Sequence, residues 1–258
     1  MRHPSFASIL ALFACASCSL PQLDIAPRYA QLSLDGDLGS SSGVLTANAD
    51  LETIGLDSDE PAPGVRADFT VSGAHFILSS TLAEFDGTGT LDATLSLGGD
   101  TITVGTNVAT DLNLGMHSAY LLWDIFPGDT VELAAGLGVT LLDFELSVLD
   151  PLASTTLDFD EVIPIPLLAA NVGVNLGKIE GNILISGFSV DAGGNSGSYI
   201  DIDAALRWKL LGGQDHVRTS IIVGWREVNI ELDYTDSGDS IEADFGISGP
   251  YLAFEVTL

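Results

Sequence analysis

The chain has 258 residues, with 36 acidic against 8 basic side chains for a net charge of −28, yet it is 46% hydrophobic. The charge excludes a nucleic-acid partner, whose phosphates demand a basic surface, and the lack of any internal apolar run of about 18 residues excludes membrane-spanning helices. Apolar residues spread one at a time, together with 28 glycines, suit strands that are apolar on one face only.

At the start, Arg2 and His3 precede an apolar stretch from Phe6 to Ala14 that is too short to span a bilayer and is followed by small residues. This predicts a signal peptide over 1–17 and a single domain over 18–258. Leu12-Phe13-Ala14-Cys15 and Cys15-Ala16-Ser17-Cys18 both resemble imperfect lipoprotein boxes, while Ala14-Cys15-Ala16 suits ordinary cleavage. Lipidation at Cys18 or Cys15 and plain removal of the leader both stay open. The two cysteines lie in this segment, so the mature body has no intrachain disulfide.

Beyond it, period-2 alternation marks a strand near Ile25–Leu34 and another with Val65, Ala67, Phe69 and Val71 on one face, Arg66, Asp68 and Thr70 on the other. After Gly73 the chain returns through Phe76, Leu78, Ser80 and Leu82 toward a hairpin at Gly98-Gly99-Asp100. Leu112, Leu114, Met116, Ser118, Tyr120 and Leu122 form the next outward face, opposite Asp111, Asn113, Gly115 and His117. Pro127-Gly128-Asp129 is a tight turn. It leads to Val131, Leu133, Ala135, Leu137, Val139 and Leu141 outside, with Glu132, Ala134, Gly136, Gly138 and Thr140 inside.

A loop from Leu149 to Val162 precedes Pro166–Leu176, a turn at Gly177-Lys178 precedes Ile179–Ile185, and Asp191–Ser198 is a further loop. Ile200–Leu210 and Val217–Trp225 follow, joined by a turn at Leu211–Asp215, and after the loop Asp233–Asp239 the closing strand places Leu252, Phe254, Val256 and Leu258 on one face. Long and short connections alternate. The pattern predicts an all-β fold: a transmembrane antiparallel up-and-down β-barrel of about ten strands, with eight as the alternative count, and with strands extending above the membrane. Trp123, Trp208, Trp225 and Phe254 fall where interfacial aromatic girdles belong.

The inward face is charged. Arg66, Arg207, Lys209, Arg218 and Arg226 are expected to meet Asp68, Asp111, Glu132 and Glu180, and also Asp201, Asp203 and Glu255. In a narrow barrel such charges pair across the lumen and fill it. In several strands the apolar phase also slips by one residue toward the long-loop end. Leu141 gives way to Phe144 and Leu146, Trp225 to Val228 and Ile230, Ile185 to Phe188, and in the closing strand Phe245 and Ile247 are out of step with Leu252–Leu258. A slip exchanges the faces. Above the membrane, therefore, apolar side chains point inward, and Phe144, Leu146, Phe188, Val228, Ile230, Phe245 and Ile247 are candidates to line an apolar pocket. No Ser, His and acid cluster has motif-like spacing. His75 beside Ser72 is the one hint of chemistry, and a turn-lining histidine is the simpler reading. Asp57, Asp59 and Glu60, or Asp158, Asp160 and Glu161, lack the glycine-spaced pattern of a calcium loop. Neither a metal site nor a cofactor is expected.

Leu56-Asp57-Ser58-Asp59-Glu60, Asp158 through Pro166, Gly224-Trp225-Arg226-Glu227-Val228 and Ser248-Gly249-Pro250-Tyr251-Leu252 resemble landmarks of small outer-membrane β-barrel proteins of Gram-negative bacteria whose function is undetermined. The resemblance spans most of the mature chain and carries over no catalytic or binding residue. It departs at the end, where relatives usually close on Phe and this chain closes on Leu258. The expected protein is a monomer in the outer membrane of a Gram-negative bacterium, in contact with outer-membrane lipids and, during biogenesis, with the barrel-assembly machinery. Its salt-bridged, largely closed lumen points to a structural or small-ligand-binding role and to no enzyme activity. The alternatives are a narrow channel or transporter for small hydrophobic molecules and, second, a lipid-modifying enzyme.

Overall fold

The computed structural model describes residues 21–42, 45–56, 59–97, 100–192, 195–211, 217–236 and 239–258. The expected signal peptide, Cys15 and Cys18, the glycines of the Gly98-Gly99 turn, Asp57 and His216 lie outside the described residues. No helix among the described residues is long and apolar enough to cross a membrane.

Ten long strands close a ring. They are β1 (Gln22–Ser42), β3 (Glu60–Val71), β4 (Ala74–Thr90), β7 (Asn107–Pro127), β8 (Val131–Asp150), β9 (Thr155–Asn175), β10 (Ile179–Ala192), β11 (Asn195–Leu211), β12 (Arg218–Asp236) and β13 (Asp239–Thr257). Each pairs antiparallel with its sequence neighbour in the ring, and β13 pairs with β1 from Asp24↔Thr257 to Ser42↔Asp239. This is the ten-strand up-and-down barrel; the eight-strand count is not realised. Closure satisfies the edges that an open sheet would expose. β2 (Leu45–Asp50) folds back on the top of β1, pairing from Asp37↔Asp50 to Ser42↔Leu45. β5 (Leu95–Leu97) and β6 (Asp100–Ile102) form a separate hairpin.

The ring has a turn end and a loop end. At the turn end lie the Ser72-Gly73, Pro127–Thr130 and Leu176–Lys178 connections and both described termini. Register shifts occur there too, one of them a bulge at Ile125 between Asp124↔Ala134 and Phe126↔Leu133. Around this half the outer face is apolar: Val65, Phe69, Leu78, Leu137, Leu168, Ile183, Leu206, Val223 and Leu252 are all exposed, with Trp123, Trp208, Trp225 and Phe254 among them.

Toward the loop end the exposed face turns polar and the inward face apolar, with no change of register between β8 and β9 or between β12 and β13. On β8, Leu137, Val139 and Leu141 are exposed, whereas Leu142, Phe144 and Val148 are buried. On β13 every odd-numbered residue from Phe245 to Thr257 is buried. The expected slip is thus a change of environment along strands that keep their register rather than a bulge: at Gly249-Pro250 the ladder to β12 continues, while the ladder to β1 skips from Ala30↔Tyr251 to Ser33↔Ser248 without a register change.

One strand is inverted relative to expectation. On β7 the face carrying Leu112, Leu114, Met116, Ser118, Tyr120 and Leu122 is buried inside, and Asp111 and Asn113 are exposed outside. Alternation defines two faces but not which of them is inner. Trp123, in phase with His117 and Leu121, is the side chain that identifies the outer face.

At two places the wall splits, and both splits have the same local cause. β3 pairs with β1 without interruption from Gln22↔Thr70 to Leu32↔Glu60, but its ladder to β4 stops at Gly64↔Thr81, next to Pro63 and Pro61. β9 pairs with β8 along its whole length, but its ladder to β10 stops at Gly187↔Leu168, close to Pro166 and Pro164. Residues two apart present their N–H groups to the same edge, and proline has none. With one ladder unbroken, each Pro-x-Pro pair removes two donors from the other edge. The first split is filled by Leu51–Leu56, whose Leu51, Ile54 and Leu56 are fully buried and whose Thr53 carbonyl accepts from Thr90 N–H at 2.9 Å. The approach is so close that a Cβ on Gly87 would lie 1.9 Å from Gly55 O, so only glycine fits there. At the second split, Phe188 and Val190 stay exposed.

Candidate functional site: the barrel lumen

The lumen has three zones. The first, at the turn end, is a polar cavity of about 640 Å³ lined by residues that include Asp24, His75, Glu132, Glu180, Arg207 and Glu255. Arg207 bridges two walls here, from Nη1 to Glu180 at 2.9 Å and from Nη2 to Glu255 at 2.7 Å, and Lys209 also pairs with Glu180. Arg218 sits exposed at the rim and donates to Gln22 Oε1 at 2.8 Å rather than to a carboxylate.

The second zone is a belt of buried charge. Asp203 on β11 accepts from Arg28 Nη1 at 2.9 Å and from the Tyr251 hydroxyl at 2.5 Å, with Arg66 Nη1 at 3.6 Å; Arg66 also binds Asp68 at 2.9 Å. The Arg28 guanidinium lies 4.8 Å from the centre of the Tyr251 ring, a cation–π contact. That ring needs Gly224 opposite it, where a Cβ would come within 2.3 Å of Tyr251 Cζ. One step toward the loop end, Arg226 on β12 binds Asp201 through Nε (3.2 Å) and Nη2 (2.8 Å), and its Nη1 reaches across the ring to Thr81 Oγ1 on β4 at 2.9 Å. Tyr120 on β7 meets Ser186 on β10 at 3.2 Å, and Ser118 meets Thr140 at 2.7 Å. Bonds between distant walls cross the lumen at this level. Buried charge persists only when paired and hydrogen-bonded, and Asp201 and Asp203 each have several donors.

The third zone is apolar. Phe144 (8% exposed), Val228 (1%), Ile230 (1%), Phe245 (3%) and Ile247 (1%) belong to one continuous core with Leu32, Phe85, Leu114 and Leu142. Phe144 stacks at 5.9 Å on Phe245 and edge-on at 5.7 Å on Phe159. Leu146 packs against this core from partial exposure. The β5–β6 hairpin crosses the mouth above it and touches both β1 and β9, which stand on opposite sides of the ring.

The structure therefore groups most of the predicted charges and apolar candidates, with one departure in each set. Asp111 is outside the barrel at the level of the apolar core, because its strand is inverted. Phe188 shares the inner face of its strand but remains 39% exposed beside the β9–β10 split. The apolar candidates other than Phe188 pack on one another as core, and the described cavity lies at the opposite end of the lumen.

Arg28, Tyr251 and Tyr120 are the belt members that sequence reasoning missed. For Arg28 the signal was present, since outward Ile25 and Tyr29 require Arg28 to point inward. Ser72 is exposed at the turn, and His75 engages Thr70 and Asp124 instead.

No protein-family model matches the sequence, and no curated protein matches it. Among solved structures, the outer membrane protease OmpT from Escherichia coli aligns over 91% of this chain and 97% of its own, with a TM-score of 0.51 and 9% identity. Neisserial surface protein A aligns over 90% and 99%, with a TM-score of 0.30 and 12% identity. The toluene transporter TodX from Pseudomonas putida aligns over 93% and 90%, with a TM-score of 0.31 and 11% identity. At such identities likeness is one of architecture alone. Its own closed ring of ten antiparallel strands and its likeness to the OmpT structure give this chain the fold of the outer-membrane β-barrel proteins of Gram-negative bacteria.

Proposed function

We propose that this protein is a monomeric, non-catalytic outer-membrane barrel whose lumen is closed to ions and solutes and whose role is structural or small-ligand binding. In this reading the apolar outer belt faces lipid, the turn end faces the periplasm, and the loop end stands above the membrane in water. The observation that supports it best is the sequence of fillings along one narrow lumen, a belt of mutually paired Arg226, Asp201, Arg28, Arg66 and Asp203 followed by the core around Phe144 and Phe245. A wetted pore needs neither an apolar core nor charges neutralised by one another. Reconstituted in planar bilayers, the protein should show no steady conductance above that of the bare membrane; a large, stable conductance would overturn the closed-lumen reading.

A second reading, exchange of small hydrophobic molecules through the wall, is favoured by the β9–β10 split. There, exposed Phe188 and Val190 flank a seam opposite half-buried Phe159, Ile163 and Ile165.

A further inference from the structure

At the turn end, three ligating side chains from three strands converge apart from the charge belt. His75 is the second residue of β4, Asp124 lies just before the β7 bulge, and Glu132 is the second residue of β8. His75 Nε2 is 2.8 Å from Asp124 Oδ1 and 3.5 Å from Glu132 Oε1, and one ligand atom from each of the three lies within 4.8 Å of the others. The backbone holds them in place. Asp124 N–H donates to Gly73 O at 2.9 Å, tying β7 to the β3–β4 turn, and the extra residue Ile125 lets Asp124 point inward while Ile125 and Phe126 are both exposed. Bulges often re-aim a side chain in this way.

We propose that His75, Asp124 and Glu132 form a binding site for a first-row divalent transition-metal ion of the zinc class. Two carboxylates converge on a single imidazole nitrogen, and among the described residues the only ion pair of Glu132 is with His75. One cation held by all three atoms would offset the repulsion between the two carboxylates.

The partner of the other imidazole nitrogen is of the kind such sites use. Thr70 Oγ1 lies 3.2 Å from His75 Nδ1 and can accept its N–H, leaving the Nε2 lone pair free for the metal. Zinc–nitrogen and zinc–oxygen bonds are about 2.0–2.2 Å, so small rotations of these half-buried side chains bring all three atoms into range. His75 and Glu132 line the turn-end cavity, which supplies an entry path and room for water at the remaining positions. A nitrogen in the ligand set disfavours calcium and magnesium, which take oxygen ligands.

Zinc itself is the probe. Full-length protein folded in detergent and stripped with chelator is titrated with ZnCl2 by calorimetry, with folding of every variant checked by heat-modifiable gel mobility. The wild type should bind a saturable equivalent that excess Ca²⁺ does not displace. His75→Gln and Glu132→Gln should each weaken that equivalent at least about tenfold, and Thr70→Val, which keeps all three ligands, should weaken it several-fold. Asp160→Asn, in an acidic cluster at the loop end, should leave it unchanged. Absence of the equivalent from wild type, its survival in folded His75→Gln and Glu132→Gln, or its displacement by Ca²⁺ would overturn the assignment. If the His75 and Glu132 variants do not fold, an undiminished equivalent in Thr70→Val does so.

Discussion

Arg226 shows what a buried charge does in this barrel. Its guanidinium is almost fully buried, and its donors reach one carboxylate on the neighbouring strand and one hydroxyl across the ring. Removing the cation alone strands Asp201 in a dry site. Arg226→Met should therefore lower stability by about 3–5 kcal/mol, the usual consequence of breaking a buried pair from one side. Asp201→Asn added to it should recover most of that loss, because an amide is far cheaper to bury than an unpaired carboxylate. Urea unfolding of the single and double variants in lipid vesicles checks this; equal stabilities for the two would show that Asp201 does not depend on Arg226.

For the elements, the informative residues are prolines. Pro61 and Pro63 on β3, Pro164 and Pro166 on β9, all exposed, mark where two ladders end while their opposite ladders continue. The second pair has no inserted segment like Leu51–Leu56 to fill the opening. Replacing Pro164 and Pro166 together by Thr returns two N–H donors to the edge facing β10. Pairing should then extend beyond Gly187↔Leu168, seen as slower amide exchange at Phe188, Ser189 and Val190. Unchanged exchange there would mean that the split has another origin. The same Pro-Ile-Pro stretch is legible in the sequence as a landmark, but its meaning is not, because the edge from which a proline withholds its donor is known only once the neighbouring strands are placed.

Over the whole molecule, two properties compete: a lumen filled from the belt to the lid, and a wall that is incomplete on one side. If the second matters, the exposed apolar seam collects a lipid-like molecule. Native mass spectrometry of the purified barrel should then detect an apolar adduct that is lost in the Pro164→Thr/Pro166→Thr variant. A wild-type barrel free of any adduct would leave the closed structural barrel as the sole reading. Long loops and strand tops carry much of the acidity, with Glu84, Asp86, Asp111, Glu145, Asp158 and Asp160 all exposed there, and their mutual repulsion keeps such surfaces apart in water.

Period-2 alternation, the alternation of short and long connections and the absence of long apolar runs were sufficient for the barrel and the inward position of most charges, because each follows from local backbone geometry and from the solvent on either side of a strand; the choice of ten strands over eight came from the closed ring. The exchange of faces above Leu141, Trp225 and Leu252 was equally legible, since a change of surroundings along a regular strand must reverse the apolar phase. Tertiary structure alone decided which face of β7 is inner. It also decided that Phe144, Ile230 and Phe245 fill the upper lumen rather than line a pocket, and that His75, Asp124 and Glu132 meet. Those outcomes depend on side chains from strands that are neighbours or opposites only in the closed ring, and no periodicity within one strand records what stands across the lumen from it.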